Sequence, residues 1–241
     1  MQAQNPQTPP FPAVDDPLGL QARLIHRDAM MLVIDKPAGL PVHKGPGGGA
    51  NLADHLGALR FGLPRDPELA HRLDKETAGC LVLGRHRKAL ARLADLFKAN
   101  QVKKTYWAVV AGGPAADEGT IALAMGPRDP KRGWWMKVDP KGQPAITHFR
   151  VLGRAEGQTW LALEPVTGRT HQLRLHCQAS GFPILGDPIY GDAPRHGGPG
   201  LHLLARSIIV PFDPKKPPIE ATAEVPPHMR AALAACGWSD R

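Results

Sequence analysis

The segment 71–83 constrains the fold of this chain most, because it joins a charged loop directly to an apolar run. Residues 80–83, Cys-Leu-Val-Leu, have the uninterrupted apolar character of a buried strand. Residues 71–79, His-Arg-Leu-Asp-Lys-Glu-Thr-Ala-Gly, are mostly charged, small or turn-prone. Loops held by a rigid strand commonly carry catalytic groups. The segment therefore predicts a functional loop at the start of a strand, with Asp74 as its candidate carboxylate.

Residues 71–79 resemble the central motif of the RluA-type pseudouridine synthases, His-Arg-Leu-Asp-x-x-Thr-(Ser/Ala)-Gly. The aspartate of that motif is the catalytic residue, so the resemblance implies that Asp74 is the nucleophile. Four further segments, in the same order, resemble the family's opening strand and turn, its strand with an active-site tyrosine, its arginine-bearing motif and the turn that follows: 31–43, 103–110, 167–176 and 182–191. Their order argues against chance.

The resemblance implies an α+β fold, a single domain with a mixed, mostly antiparallel central sheet flanked by helices and loops. The motifs span most of the 241 residues, which favours one domain over two small ones. The 26 glycines and 26 prolines favour short elements with many turns over a helical bundle. We expect residues 21–241 to form the catalytic domain and residues 1–20, rich in Gln and Pro, to be a disordered or loosely attached tail. A form without the family's N-terminal S4 module is expected.

Local patterns predict several helices and strands. Apolar residues at 90, 93, 96 and 97 recur at three- and four-residue steps, which predicts an amphipathic helix over 87–99. Gly181 and Pro183 end a predicted helix at 171–180, and Pro226-Pro227 begin another that reaches about residue 235. Asn51 is expected to cap a short helix through residue 59. Strands are expected at 80–85, 106–111, 160–166 and 201–210.

The charge of the chain points to a polyanionic partner. Thirty Lys plus Arg against 22 Asp plus Glu give a net charge of +8 and a pI near 9.7. Many basic proteins bind no nucleic acid, so the distribution matters more: basic residues cluster at 85–88 and 169–176, which we expect to contact RNA phosphates. A membrane surface is a weaker candidate, because no basic amphipathic helix with a large apolar face accompanies the charge.

The cysteine and histidine patterns predict neither disulfides nor metal. Cys80, Cys177 and Cys236 are far apart and lack metal-ligand spacing, as in a reduced cytosolic protein. The eleven histidines include no His-Glu-x-x-His pattern. No signal-peptide pattern and no run of about 18 apolar residues occurs. A cytoplasmic protein without metal or cofactor is expected.

The resemblance also implies roles for residues around the aspartate. Arg174 corresponds to the arginine that pairs with the catalytic carboxylate, although Arg169 could be that partner or a phosphate clamp. Tyr106 corresponds to the tyrosine that stacks on the flipped base. Arg72 corresponds to the arginine that enters the space left by the flipped nucleotide, or it contacts a phosphate. His71 is expected to be structural, with a hydrogen bond to the loop.

Three positions add less. Ala78 stands where the family often has serine, so no hydroxyl nucleophile is expected there. Trp134 and Trp135 could stack on RNA bases or form a small apolar cluster; the sequence leaves both readings open.

The resemblance implies an enzyme that isomerises uridine to pseudouridine at a specific site in structured RNA, either rRNA (23S) or tRNA, after the base is flipped out. A monomer is expected. One alternative is a catalytically inert RNA-binding or chaperone protein on the same scaffold, but such a module needs charge and no nucleophile. A hydrolase is the other alternative, and glycosidases use two carboxylates whereas only Asp74 lies in a clear site motif.

Overall fold

A computed structural model describes residues 15–45, 48–129 and 135–240 of the protein. Its strands, in chain order, are β1 Leu24–Arg27, β2 Met31–Lys36, β3 Glu68–Leu69, β4 Ala78–Gly84, β5 Lys103–Ala111, β6 Glu118–Ala122, β7 Met125–Pro127, β8 Met136–Val138, β9 Ile146–Ala155, β10 Gln158–Pro165, β11 Leu203–Val210 and β12 Ile219–Thr222. The α-helices are α1 Arg87–Lys98, α2 Gln172–Ala179 and α3 Pro227–Ala235, and short 3₁₀-helices cover Gln21–Arg23 and Ala53–Leu59.

Ten of these strands form one mixed sheet in the part of the chain that is described. The main path runs β1, β2, β4, β11, β5, β10, β9, β6, with β3 beside β4 and β12 beside β11. Only β4 and β11 pair in parallel, and the remaining pairs are antiparallel. The strands β7 and β8 form a separate antiparallel hairpin. The predicted fold class, one α+β domain with a mostly antiparallel sheet, is confirmed.

The centre of the sheet is covered on both faces, which explains the apolar run that follows the Asp74 loop. All seven residues of β4 are buried. Cys80 and Val82 point to the face packed by α1 and α3, whereas Leu81 and Leu83 point to the face packed by the second 3₁₀-helix. Farther along this second face, α2 packs on β5 and β10 through Leu173. A strand buried on both faces needs apolar residues at every position.

The predicted helices lie close to their expected bounds. In α1, Leu93 and Leu96 are buried, and the His86 ring caps the first turn by accepting from the Ala89 amide at 3.2 Å. Gly181 follows α2 with φ +87°, the left-handed conformation that ends many helices. The segment after Asn51 forms the expected short helix through Leu59, which is a 3₁₀-helix, and Oδ1 of Asn51 accepts from the Asp54 amide at 3.2 Å.

Strands β6 and β9 were absent from the sequence prediction. In β9 only one residue, Thr147, is buried, so its pattern is mixed rather than alternating. An outer strand that is half exposed leaves a weak periodic signal.

The tail predicted for residues 1–20 lies mostly outside the described residues, and its boundary stays a prediction. Leu20 is fully buried in the core, and the Asp16 carboxylate accepts from the Leu20 amide at 2.7 Å. All three cysteines are free, and all three are buried. Within residues 15–45, 48–129 and 135–240, none of the helices has the length and apolar character to cross a membrane.

Candidate active site

The Asp74 loop is fixed by the close approach of β4 to β11. Gly79 pairs with Ala205 in the parallel ladder and has φ +111°. A Cβ atom on Gly79 would lie 2.3 Å from the Ala205 carbonyl oxygen. Only glycine permits both the backbone conformation and this contact. The glycine of the motif therefore sets the point from which the Asp74 loop leaves the sheet.

A buried lysine ties the same loop to the turn after β2. Lys36 is fully buried, and its ammonium donates to the carbonyls of Pro37 at 2.7 Å, Leu40 at 2.8 Å and Lys75 at 3.1 Å. Burial lowers the pKa of Lys36 to about 8, although nearby carboxylates, including Asp74, act in the opposite direction. Three carbonyl acceptors satisfy all three protons of the ammonium. The residue next to Asp74 in the chain is thus held in place.

Asp74 borders a cleft of about 540 Å³ between the sheet and α2. About 24% of its side chain is exposed. Further residues from α1 and α2 also line this cleft. All the residues predicted to form the site line it: Arg72, Asp74, Tyr106, Arg169 and Arg174. Segments about 100 residues apart in the chain are therefore brought to a common surface.

Arg174 lies between two carboxylates. Its Nε and Nη2 donate to the two oxygens of Asp187 at 2.8 and 2.7 Å, and its Nη1 lies 3.6 Å from Oδ2 of Asp74. Asp187 is fully buried, and only 2% of the Arg174 side chain is exposed. The Asp187 oxygen Oδ1 also accepts from the amides of Ile189 and Tyr190 at 2.8 and 3.0 Å. The planar fork of Arg174 is thus held by Asp187, and its remaining edge faces Asp74.

The charges of this group stabilise one another against burial. Burial acts to lower the pKa of Arg174, but the hydrogen bonds and charge of Asp187 and the charge of Asp74 outweigh it and raise that pKa above its ordinary value. Burial acts to raise the pKa of Asp187, yet the contacts with Arg174 and two backbone amides hold it below its ordinary value. Both groups are therefore charged at neutral pH.

The two arginines left open by the sequence occupy different places. Arg169 donates from Nε to the Pro144 carbonyl at 3.3 Å, and in the described structure it forms no ion pair with Asp74. Its backbone amide donates to the Gln172 side chain at 3.0 Å. Arg174 is thus the arginine that faces Asp74, and Arg169 lies on the exposed rim of the cleft.

Tyr106, Arg72 and His71 take distinct positions around the cleft. Tyr106, on β5, is half-buried against two apolar clusters, and burial raises its pKa above the ordinary value, so the phenol keeps its proton. Arg72 is exposed and donates from Nη2 to the hydroxyl of Thr170. His71 accepts from the Val82 amide at 3.1 Å, and burial, with the charge of Lys104, lowers its pKa to about 3. His71 is therefore neutral, and its hydrogen-bond partner lies on β4 rather than in the loop, where the sequence placed it.

The sequence predicted no contact with Asp74 or Arg174 for Asp187, His171 or Tyr190, although all three lie in segments with family resemblance. Nε2 of His171 lies 3.8 Å from Oδ2 of Asp74, and its Nδ1 lies 3.1 Å from the hydroxyl of Tyr190. These residues are part of the motifs found in the sequence, but their mutual contacts depend on how α2 packs against the turn after it. Local patterns carry no signal for such contacts.

The basic segments differ in their relation to the cleft. Arg85 lies at the far end of β4 from the Asp74 loop, and its guanidinium donates to the carbonyls of Asp28 and Arg60. At the cleft itself, Lys98 and Lys104 contribute lysine side chains to the lining. Of the two tryptophans, Trp134 lies outside the described residues, and Trp135 has the Arg195 guanidinium 4.9 Å from its ring centre.

Comparison with known proteins links this chain to one family. The family model for RNA pseudouridylate synthase matches residues 30–179. A relative from Zymomonas mobilis, named as an uncharacterized RNA pseudouridine synthase, is 43% identical over 209 residues, 86% of this chain and 94% of its own length. Ribosomal large subunit pseudouridine synthase C of Vibrio vulnificus is 33% identical over 229 residues, 92% of this chain and 72% of its own length.

A solved structure shares the fold. Human RNA pseudouridylate synthase domain containing 4 superposes with a TM-score of 0.76 at 28% identity, covering 90% of this chain and 94% of the human one. Fold and site together define an RNA-modifying isomerase. The chain belongs to the RNA pseudouridylate synthase family, whose members convert uridine to pseudouridine in RNA. The family predicted from the motifs is confirmed.

Proposed function

We propose that this protein isomerises uridine to pseudouridine at a defined position of a structured RNA, with the Asp74 carboxylate as nucleophile. One observation carries the proposal: Asp74 lies at the cleft with Oδ2 facing Arg174 at 3.6 Å, while no described residue pairs with its other oxygen, Oδ1. A carboxylate held by one oxygen keeps the second available for a bound base or ribose. The adjacent cation favours the ionised form that a nucleophile requires.

The chemistry needs no consumed partner. The bond from N1 of uracil to C1′ of the ribose breaks, the base rotates, and a bond from C5 to C1′ forms. The hydrogen of C5 leaves to solvent and N1 gains a proton, so atoms and electrons balance within the substrate and water. Asp74 can attack either C1′ or C6, and both routes use the same carboxylate. We therefore infer an activity that requires neither metal nor nucleotide cofactor.

The remaining cleft residues fit roles in binding the flipped nucleotide. The Tyr106 ring offers an aromatic face beside Asp74, on which a base can stack. Arg72 is exposed at the cleft, where its charge can enter the space that the base vacates or hold a phosphate. Arg169, on the rim, is proposed as a phosphate contact.

The substrate is proposed to be rRNA or tRNA. The Vibrio vulnificus relative is named for the large ribosomal subunit, which makes the RNA of that subunit the first substrate to test. A monomer and a cytoplasmic location stay predictions. Mapping pseudouridines in RNA from cells with and without the gene identifies the target by the loss of one defined position.

Release of tritium tests the reaction and the nucleophile. RNA labelled at C5 of uridine should release tritium to water with the wild-type protein and no added metal or cofactor. Asp74→Asn preserves shape but removes the ionisable carboxylate, so it should abolish release while the protein stays folded and binds RNA. Asp95→Asn is the matched control, since Asp95 is exposed on α1; it should retain the wild-type rate.

Two results would overturn the proposal in different ways. Release at near wild-type rate from Asp74→Asn rejects Asp74 as nucleophile. Tight RNA binding by the wild type without release from any cellular RNA favours an inert RNA-binding protein instead.

A further inference from the structure

The Asp74 carboxylate has a second neighbour on the same side as Arg174. Nε2 of His171 lies 3.8 Å from Oδ2, the oxygen that Nη1 of Arg174 also faces at 3.6 Å. The imidazole is almost enclosed, with 9% of its side chain exposed. Catalytic hydrogen bonds are often long without substrate and shorten in the complex. The placement suits a group that holds one oxygen of Asp74.

The other imidazole nitrogen is held by a phenol that already has a donor. Nδ1 of His171 lies 3.1 Å from the Tyr190 hydroxyl, and that hydroxyl accepts from the Met136 amide at 3.0 Å. The rings of His171 and Tyr190 also meet edge to face, with centres 5.6 Å apart. Since the amide occupies a lone pair of the hydroxyl, the phenol proton is free to point at Nδ1.

The protonation states of both rings follow from burial. Burial lowers the pKa of His171, although the charge of Asp74 acts in the opposite direction. Burial also raises the pKa of Tyr190. The phenol therefore keeps its proton, and the imidazole is neutral at pH 7, with one N–H. If Nδ1 accepts from Tyr190, that N–H is on Nε2; the opposite tautomer would turn a lone pair toward the carboxylate.

We infer that His171 is a positioning residue for Asp74, which donates from Nε2 to Oδ2, and that Tyr190 holds the imidazole in the required tautomer. This inference rests on the proposed function of Asp74 as nucleophile. With Arg174 and His171 both directed at Oδ2, the carboxylate presents Oδ1 to the substrate in one orientation. Arg174 on α2 and His171, the residue just before that helix, thus determine which oxygen reacts.

The backbone supplies the means to separate this role from a structural one. His171 has φ +53° and ψ +20°, the left-handed conformation, which Asn tolerates better than Gln. For the rate, side-chain geometry predicts the opposite order of the two variants. The amide nitrogen of Gln reaches the position of Nε2, whereas that of Asn reaches only the position of Nδ1. His171→Gln and His171→Asn are therefore a matched pair with opposite expected orders for stability and rate.

Single-turnover rates and RNA affinities of the two variants test the inference. His171→Asn should lower the rate about tenfold, the effect of one hydrogen bond to a charged group. The single-turnover rate of His171→Gln should stay within about threefold of the wild-type rate, although this variant should be less stable than His171→Asn. RNA affinity should be the same for both. Equal rates, a faster Asn variant, or losses in affinity rather than rate would overturn the inference.

Removal of the Tyr190 hydroxyl tests whether Tyr190 holds the imidazole of His171 in the required tautomer. Tyr190→Phe should slow the wild type but have no further effect in the His171→Asn background, because the two residues act in series. Thr159→Val is the control, since it also loses one buried hydroxyl bond, to the Gly112 carbonyl at 2.6 Å, at the far end of β10. Additive effects of Tyr190→Phe and His171→Asn on the rate would show that Tyr190 does not act through His171.

The tautomer can be read without turnover. Long-range ¹⁵N spectra of the whole protein should show that Nε2 of His171 is protonated and Nδ1 is not. The spectrum of His171→Gln assigns the signal. A proton on Nδ1 would overturn the inference even if the enzyme is active. Absence of tritium release from the wild type would instead reject the proposed function, so the two failures are distinguishable.

Discussion

Asp187 holds the guanidinium of Arg174 through two hydrogen bonds of 2.8 and 2.7 Å, and this leaves only Nη1 to face Asp74. From the sequence, either Arg174 or Arg169 could pair with the catalytic carboxylate. In the structure the two-point contact of Arg174 is made with Asp187. Asp74 is thereby left with one directed contact from Arg174 and greater access to the cleft.

The first prediction concerns stability. Asp187→Ala should lower the free energy of unfolding by about 3 kcal/mol, because it leaves the buried guanidinium of Arg174 without its partner. Asp192→Ala removes an exposed carboxylate from the same segment and should change stability by less than about 0.5 kcal/mol. Urea unfolding curves measure both. Similar values for the two variants would mean that the buried pair does not stabilise the fold.

The second prediction concerns rate. Arg174→Lys keeps the charge, but an ammonium cannot hold Asp187 at two points and present a third donor to Asp74. We expect a slower single-turnover rate with RNA affinity largely retained. Arg169→Lys is the comparison, because Arg169 lies on the rim, and it should leave the rate of the chemical step unchanged. A wild-type rate for Arg174→Lys together with a slow Arg169→Lys would reverse the assignment of the two arginines.

The third prediction concerns RNA binding. Lys98 lines the cleft at the last turn of α1, whereas Lys88 lies in its first turn, about 15 Å away along the helix. Lys98→Ala should weaken RNA binding and reduce the slope of log affinity against log salt by about 0.7, the value for one phosphate contact with a single strand. Lys88→Ala should change the slope less. An equal or larger effect of Lys88→Ala would restore the sequence-based expectation that segment 85–88 contacts phosphates.

The fourth prediction concerns pH. The folded-state pKa of His71 is about 3, because burial, with the charge of Lys104, disfavours the charged ring, and in the unfolded chain it is about 6.5. As pH falls below about 6.5 the unfolded chain binds a proton that the folded protein does not. The stability that neutral His71 contributes is therefore complete above this pH and is lost progressively down to about pH 3.

Comparison of variants isolates the contribution of His71. His71→Gln keeps an acceptor for the Val82 amide but does not titrate, so between pH 6 and 4 its unfolding free energy should fall less steeply than that of the wild type, by about 1.4 kcal/mol per pH unit. His196→Gln, on an exposed loop, should leave the slope as in the wild type. If His71→Gln and the wild type lose stability in parallel, His71 is not the group that resists protonation.

Much of the fold could be predicted from the sequence because the relevant signals are local. The apolar run 80–83 predicted a buried strand, and the spacing of Leu93 and Leu96 predicted the buried face of α1. Pro226 and Pro227 marked the start of α3 correctly, and Gly181 marked the end of α2. Strands β6 and β9 escaped prediction, since half-exposed outer strands lack a clear alternation.

The sequence by itself determined the family and the motif that contains Asp74, and it predicted five of the residues that border the cleft. It could do so because motifs and short-range periodicity are properties of contiguous residues. Only the tertiary structure decided how those residues pair. The contact of Arg174 with Asp187 joins α2 to the turn after it, and that of His171 with Tyr190 does the same. The parallel pairing of Gly79 with Ala205 joins two strands that lie far apart in the chain. Such contacts depend on packing between distant segments, where distance and orientation rather than residue type select the partner.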